Sequence, residues 1–64
     1  MYKNLKKHMK EKKIFQWDLA VLLELSESRV RYRFSKQSFK NYEMCAIRDR
    51  FFPEVSLDEL FKWE

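Results

Sequence analysis

Between Gln16 and Phe34 the apolar residues are spaced for one kind of local structure. Leu19, Ala20 and Leu23 fall at i, i+1 and i+4, a single stripe on a short helix. Val30 and Phe34, four residues apart, form a second stripe. Leu25 and Ser26 stand between the two. Leu25 points inward from a tight turn, and the Ser26 hydroxyl can accept from the amides of Ser28 or Arg29 and so cap a helix. Ala20 is small where a second helix must come close. The spacing predicts two short helices, Gln16 to Leu23 and about Glu27 to Phe34, crossing at a tight turn.

The same periodicity continues on both sides. The chain has no glycine and a single proline, and strand signals are weak, so an all-α domain spanning residues 1–64 is expected. A first helix is predicted from Asn4, as N-cap, to Lys12, with Leu5, Met9 and the stems of His8 and Lys12 on one face. Ile14 enters the core from the connection. A fourth helix is predicted from about Phe39 to Phe51, capped by Ser38, with Phe39, Met44 or the Glu43 stem, Ile47 and Phe51 inward. Pro53 ends it, because proline disfavours helix in the residue before it. Ser56 then caps a short fifth helix with Leu57, Leu60 and Phe61 inward, and Ser56 to Glu59 has capping-box spacing. Trp63 closes the chain. With Phe52 it is the expected self-association surface.

A chain of 64 residues buries only about 60% of its unfolded surface, and its 17% aromatic content offsets this by supplying large apolar areas. A deep substrate cleft is hard to build at this size. No nucleophile–base pair and no metal constellation is visible, so the chain is not expected to be an enzyme, or to need a cofactor, metal or small-molecule ligand. Cys45 is the only cysteine, which excludes an internal disulfide and a thiolate zinc cluster, and it is expected to be a small buried hydrophobe. His8 has no second metal ligand at helical spacing and is read as a partly buried structural residue. There is no long apolar run for a signal peptide or membrane span, so a cytoplasmic location without membrane attachment is expected.

Charge separates along the chain. Residues 1–13 hold six lysines against Glu11, and residues 27–40 hold Arg29, Arg31, Arg33, Lys36 and Lys40 against Glu27. Residues 14–26 and 41–64 are net acidic. The total is +4. Such a division suits a domain with one polyanion-facing side, although lysine-rich helices are also simply well solvated.

The ordered set of segments resembles the lambda-repressor-like, Cro-type (Xre-type) helix-turn-helix family, over nearly the whole chain. NLKKHMKEKKI, then Gln16, DLA and Leu23, is similar to that family's first two helices. LSESRV (Leu25 to Val30) is similar to its turn and the start of its recognition helix. FKNYEMCAIRDRFFPEVSLDELF (Phe39 to Phe61) is similar to its fourth and fifth helices, closest to small phage-type regulators of bacteria. The resemblance implies a compact five-helix fold with the helix-turn-helix at helices 2 and 3. It also implies sequence-specific binding of double-stranded DNA by a small Cro- or repressor-like transcriptional regulator. Dimers on palindromic half-sites would follow. Three departures stand out. Glu24 occupies the turn position where the family often has glycine. Met9 and Phe34 replace a frequent ion pair. Ser35-Lys36-Gln37 is shorter than the family's loop and lacks its glycine.

Helical phase divides the residues of helix 3. With Val30 at zero, Phe34 lies near roughly 40° and Arg33 near roughly 300°, while Glu27, Arg31, Ser28 and Tyr32 span roughly 60° to 200°. Base contact is assigned to that outward group. Arg31 suits guanine, Glu27 suits cytosine or merely the helix N-terminus, and Ser28 and Tyr32 are less selective. Backbone contact is assigned to Gln16, Trp17, Arg29, Arg33, Ser35, Lys36 and Lys40, with Lys6, Lys7, Lys10 and Lys13 adding long-range attraction. For Arg29 and Arg33 a salt bridge to Glu24 or Glu43 is an equal alternative. Trp17 and Val21 sit away from the inward stripe of helix 2, where relatives are usually polar. They form either a tolerated surface pair or a partner surface. That patch supports a second functional class: a protein-interaction module, such as an antitoxin or an inhibitor of a host protein, that retains the fold.

Overall fold

A computed structural model of the chain describes residues 2–62. Five helices follow in order: α1 (Lys3–Lys12), α2 (Gln16–Leu23), α3 (Glu27–Lys36), α4 (Asn41–Phe51) and α5 (Leu57–Leu60). No strand occurs among the described residues, so the domain is all-α there. The most extensive helix–helix contact is between α2 and α3. α4 packs on α2, and α5 packs on both α1 and α4.

The core draws one or two residues from each helix: Leu5 and Met9, Leu19 and Ala20, Val30 and Phe34, Ile47, and Leu60, all buried. Met9 and Phe34, the two positions that lack the ion pair, both lie in this core. Ile14, Leu23 and Leu25 pack against it as expected. Beside the aliphatic residues stands a cluster of four rings. Tyr2 lies 6.1 Å from Phe34, 5.5 Å from Phe39 and 5.5 Å from Phe61, and Phe39 lies 5.4 Å from Phe34. Most of these pairs meet edge to face, the arrangement favoured by the ring quadrupole. Each ring comes from a different segment, so the cluster ties the chain start, α3, the α3–α4 connection and the chain end together.

Without glycine, three helices still end in the left-handed conformation. Lys13, Glu24 and Gln37 have φ of 59°, 56° and 48°. At each, the next residue's amide reaches back in the Schellman pattern: Ile14 N–H to Met9 O, Leu25 N–H to Ala20 O, and Ser38 N–H to Arg33 O, at 2.8, 3.0 and 3.0 Å. A left-handed L-residue costs about 1–2 kcal/mol. The apolar Ile14 and Leu25 that follow offset this by entering the core. The Glu24 departure is therefore accommodated by conformation rather than avoided.

Several expectations are corrected. Asn4 is not the N-cap of α1. Tyr2 occupies that place, and the Asn4 amide donates to the Glu59 carbonyl 3.0 Å away. Ser38 does not cap α4, and Phe39 precedes the helix. Lys40 is the cap residue, and its amide donates to Glu43 Oε1 at 2.9 Å. Helix α3 runs two residues beyond Phe34, so Ser35 and Lys36 are helical rather than loop. Phe52 is wholly buried and offers no self-association surface, and Trp63 lies outside the described residues. Cys45 is only partly buried. The two remaining serines cap as expected: Ser26 Oγ accepts from Arg29 N–H and Ser56 Oγ from Glu59 N–H, both at 3.2 Å, but the Glu59 carboxylate turns to Asn4 and His8 rather than completing a capping box.

Candidate nucleic-acid interface

Helix α3 begins at a capped end and carries its basic residues outward. The Ser26 cap fixes where the first turn starts, and burial of Val30 and Phe34 fixes how the helix is rotated. The opposite side is then solvent-facing: Glu27, Ser28, Arg29, Arg31 and Tyr32 are all exposed, as are Ser35 and Lys36. Within this surface Ser28, Arg29, Tyr32 and Arg33 line one shallow hollow of about 350 Å³. The hollow therefore joins two residues assigned to bases with two assigned to the backbone. Glu27 and Arg31 stand outside its lining, on the neighbouring part of the exposed face.

Arg33 differs from the other basic residues of α3. Its side chain is largely buried, and Nε lies 3.3 Å from Oε2 of Glu43, whose side chain is 2% exposed. That distance is an ion pair without the alignment of a hydrogen bond. Of the two salt-bridge partners considered for Arg33, the structure selects Glu43 on α4. The second oxygen of Glu43 holds the Lys40 amide, so one buried carboxylate fixes both the start of α4 and an arginine of α3. The same carboxylate lies close enough to Tyr2 to act on it. Burial pushes the Tyr2 phenol above its ordinary value, a hydrogen bond from the Phe39 amide opposes this, and the charge of Glu43 adds to it.

Gln16 is the first residue of α2 and is half-buried beside Trp17. The Phe15 amide donates to Asp18 Oδ2 at 2.8 Å, so Asp18 satisfies one of the free amides of that helix start. Lys40, at the start of α4, is exposed. The lysines of α1 divide. Lys6 lies 5.5 Å from the Phe34 ring centre, whereas Lys12 lies 5.2 Å from that of Phe52. There Lys12 Nζ donates to the Phe51 carbonyl at 2.9 Å and pairs with Glu54 at 2.6 Å, which holds the Glu54 carboxyl below its ordinary value. Lys7, Lys10 and Lys13 are exposed.

Trp17 and Val21 are 54% and 69% exposed, as the helical phase of α2 requires, and Phe15, not singled out from sequence, is 61% exposed. With Asp18, Leu22, Arg50 and Phe51, Trp17 and Val21 line a second groove between α2 and α4. The Arg50 guanidinium lies 5.0 Å from the Phe51 ring centre there. His8 is half-buried between the Glu11 and Glu59 carboxylates, 3.8 Å from each, with its ring against Phe52. Among the described residues no group of His, Cys, Asp and Glu side chains is gathered as for a metal ion, and no helix is long and apolar enough to cross a membrane. Comparison of the chain with protein-family models, with curated proteins and with solved structures finds no match to any of them.

Proposed function

We propose that the chain is a sequence-specific binder of double-stranded DNA that acts as a small Cro- or repressor-like transcriptional regulator, with α2 and α3 as its helix-turn-helix. In this proposal α3 enters the major groove. The observation that supports it best is the outward side of α3, where Ser28, Arg29, Tyr32 and Arg33 line a hollow and Arg31 and Lys36 stand exposed beside it, on a helix whose opposite side is locked into the core. A groove-reading helix needs that combination of fixed rotation and outward donors. Arg31 would contact guanine and Glu27 cytosine, while Gln16 at the start of α2 would hold a phosphate. The bound protein would control transcription by occupancy, excluding polymerase or a rival regulator.

Selection of bound fragments from random duplex DNA, read at two salt concentrations, tests the proposal. A defined motif whose enrichment falls at the higher salt is expected. Recovery of no motif at either salt contradicts it.

The groove between α2 and α4 favours a second function, a protein-interaction module. Three large apolar side chains stand more than half exposed at the start and along the outer side of α2, and DNA contact by α3 does not use Val21 or Phe51.

A further inference from the structure

We infer that the hollow of α3 is a binding site for a phosphoryl oxyanion, and that Glu43 is the residue that positions Arg33 in it. The inference rests on the DNA-binding proposal for the natural source of the phosphate. Its chemistry is read from the hollow itself.

Two guanidinium groups and two hydroxyl-bearing side chains line the hollow: Arg29, Arg33, Ser28 and Tyr32. All four can donate hydrogen bonds and none carries a carboxylate, so the donors that edge this largely carbon-lined hollow suit an anion. A volume of about 350 Å³ leaves room for a phosphate group. Ser28 and Arg29 lie in the first turn of α3, where the helix dipole also favours negative charge.

The buried pair explains how the hollow is held. Glu43 is buried on α4 and faces Nε of Arg33 at 3.3 Å. Arginine has five donors in a rigid fork, and it is Nε that faces Glu43. Among the described residues Nε of Arg33 is the only buried side-chain donor left without an aligned partner. The guanidinium is therefore held from its Nε side, on the wall of the hollow. Clamping removes much of the rotamer freedom that a free arginine loses on binding phosphate. A buried ion pair is in itself weak evidence of a stability role, because desolvation offsets its attraction. One oxygen of Glu43 caps the start of α4, and the role in presenting the guanidinium is assigned to the other, Oε2. Binding phosphate in the hollow also moves Ser28 and Tyr32 from reading bases to holding the backbone.

Glu43→Gln separates a positioning role from a purely electrostatic one by the sign of its effect. Removing a negative charge from a chain of net charge +4 strengthens its long-range attraction for a polyanion. If Glu43 positions Arg33, affinity falls instead, by about tenfold, the loss of one charge-assisted contact. The measurement uses the full chain in two arms, with the Arg side-chain Nε–H signals followed by NMR. One arm adds inorganic phosphate and the other a random-sequence duplex. In the wild type, both are expected to shift the Arg29 and Arg33 signals, and Glu43→Gln is expected to weaken both. Phosphate shifts without duplex binding would keep the anion site and sink the DNA proposal. Duplex binding that leaves Arg33 unshifted, or that tightens in Glu43→Gln, would overturn the anion site and keep the DNA proposal. An absence of both would overturn both. If circular dichroism shows Glu43→Gln unfolded, Arg33→Lys decides. It keeps the charge and loses the fork, so a loss of about tenfold supports the site and unchanged affinity overturns it.

Discussion

Tyr2 is the residue with the most to say about stability. Its ring meets three others, its phenol oxygen accepts from the buried Phe39 amide at 3.2 Å, and its backbone amide donates to the Gln37 side chain. The phenol ionises above its ordinary value of 10.0 in the folded state, chiefly through burial. The unfolded chain therefore releases its proton first as pH rises. The stabilisation is complete below pH 10.0 and is lost as pH climbs through the raised folded value. Tyr2→Phe leaves the Phe39 amide without its acceptor, at a cost of about 1–3 kcal/mol near neutrality. Urea melts across pH 8 to 11 should show the gap between wild type and variant narrowing above about pH 10; a constant gap would remove the buried phenol from the account. The left-handed caps give a second residue-scale expectation. Glu24→Gly relieves backbone strain at φ 56° and should stabilise the fold by roughly 0.5–1 kcal/mol, after the entropy that glycine adds to the unfolded chain. Glu24→Ala keeps the strain and should change stability by less than about 0.5 kcal/mol on the same measurement.

At the scale of elements, α2 and α3 were legible because two strong local signals agree there. The apolar stripes fix rotation, and Ser26 fixes a boundary. Helix α4 was legible in its body and misplaced at its start, because Phe39 continues the apolar phase and Ser38 has the chemistry of a cap. The true cap bond comes from inside the helix, from Glu43, which periodicity registers only as an inward position. The buried pair of Arg33 and Glu43 joins two helices, so helical phase could name it only as one of several options. Tyr2 was missed for a related reason: it lies next to lysines at the chain start, and only the packing of distant rings buries it. The exposed Trp17 and Val21 were legible, because phase alone places them opposite Leu19 and Leu23. Helix α3 carries the element-scale prediction. Arg31→Ala should relax preference at one base pair by about 1–3 kcal/mol on the selected site and leave random DNA nearly unaffected. Equal losses on both would place Arg31 on the backbone. Gln16→Ala, by contrast, should weaken selected and random duplexes alike.

The chain is net basic and helical, and its cations divide between exposed and paired positions. Arg29, Arg31 and Lys36 lie on the exposed surface of α3, while Lys12 is paired with Glu54 and Arg33 with Glu43. The apolar groove of Trp17, Val21 and Phe51 lies apart from the α3 hollow, and no residue lines both. Two surfaces of different chemistry give the two proposed functions different responses to salt, a steep fall for DNA and little change for an apolar protein contact. The affinity of the full chain for a random-sequence duplex, measured by fluorescence anisotropy between 50 and 200 mM salt, separates them most directly. If α3 and its basic surround neutralise about six phosphates, affinity should fall by about 10³-fold across that range. An affinity that changes by less than about twofold, or no duplex binding at the lower salt, would contradict DNA binding.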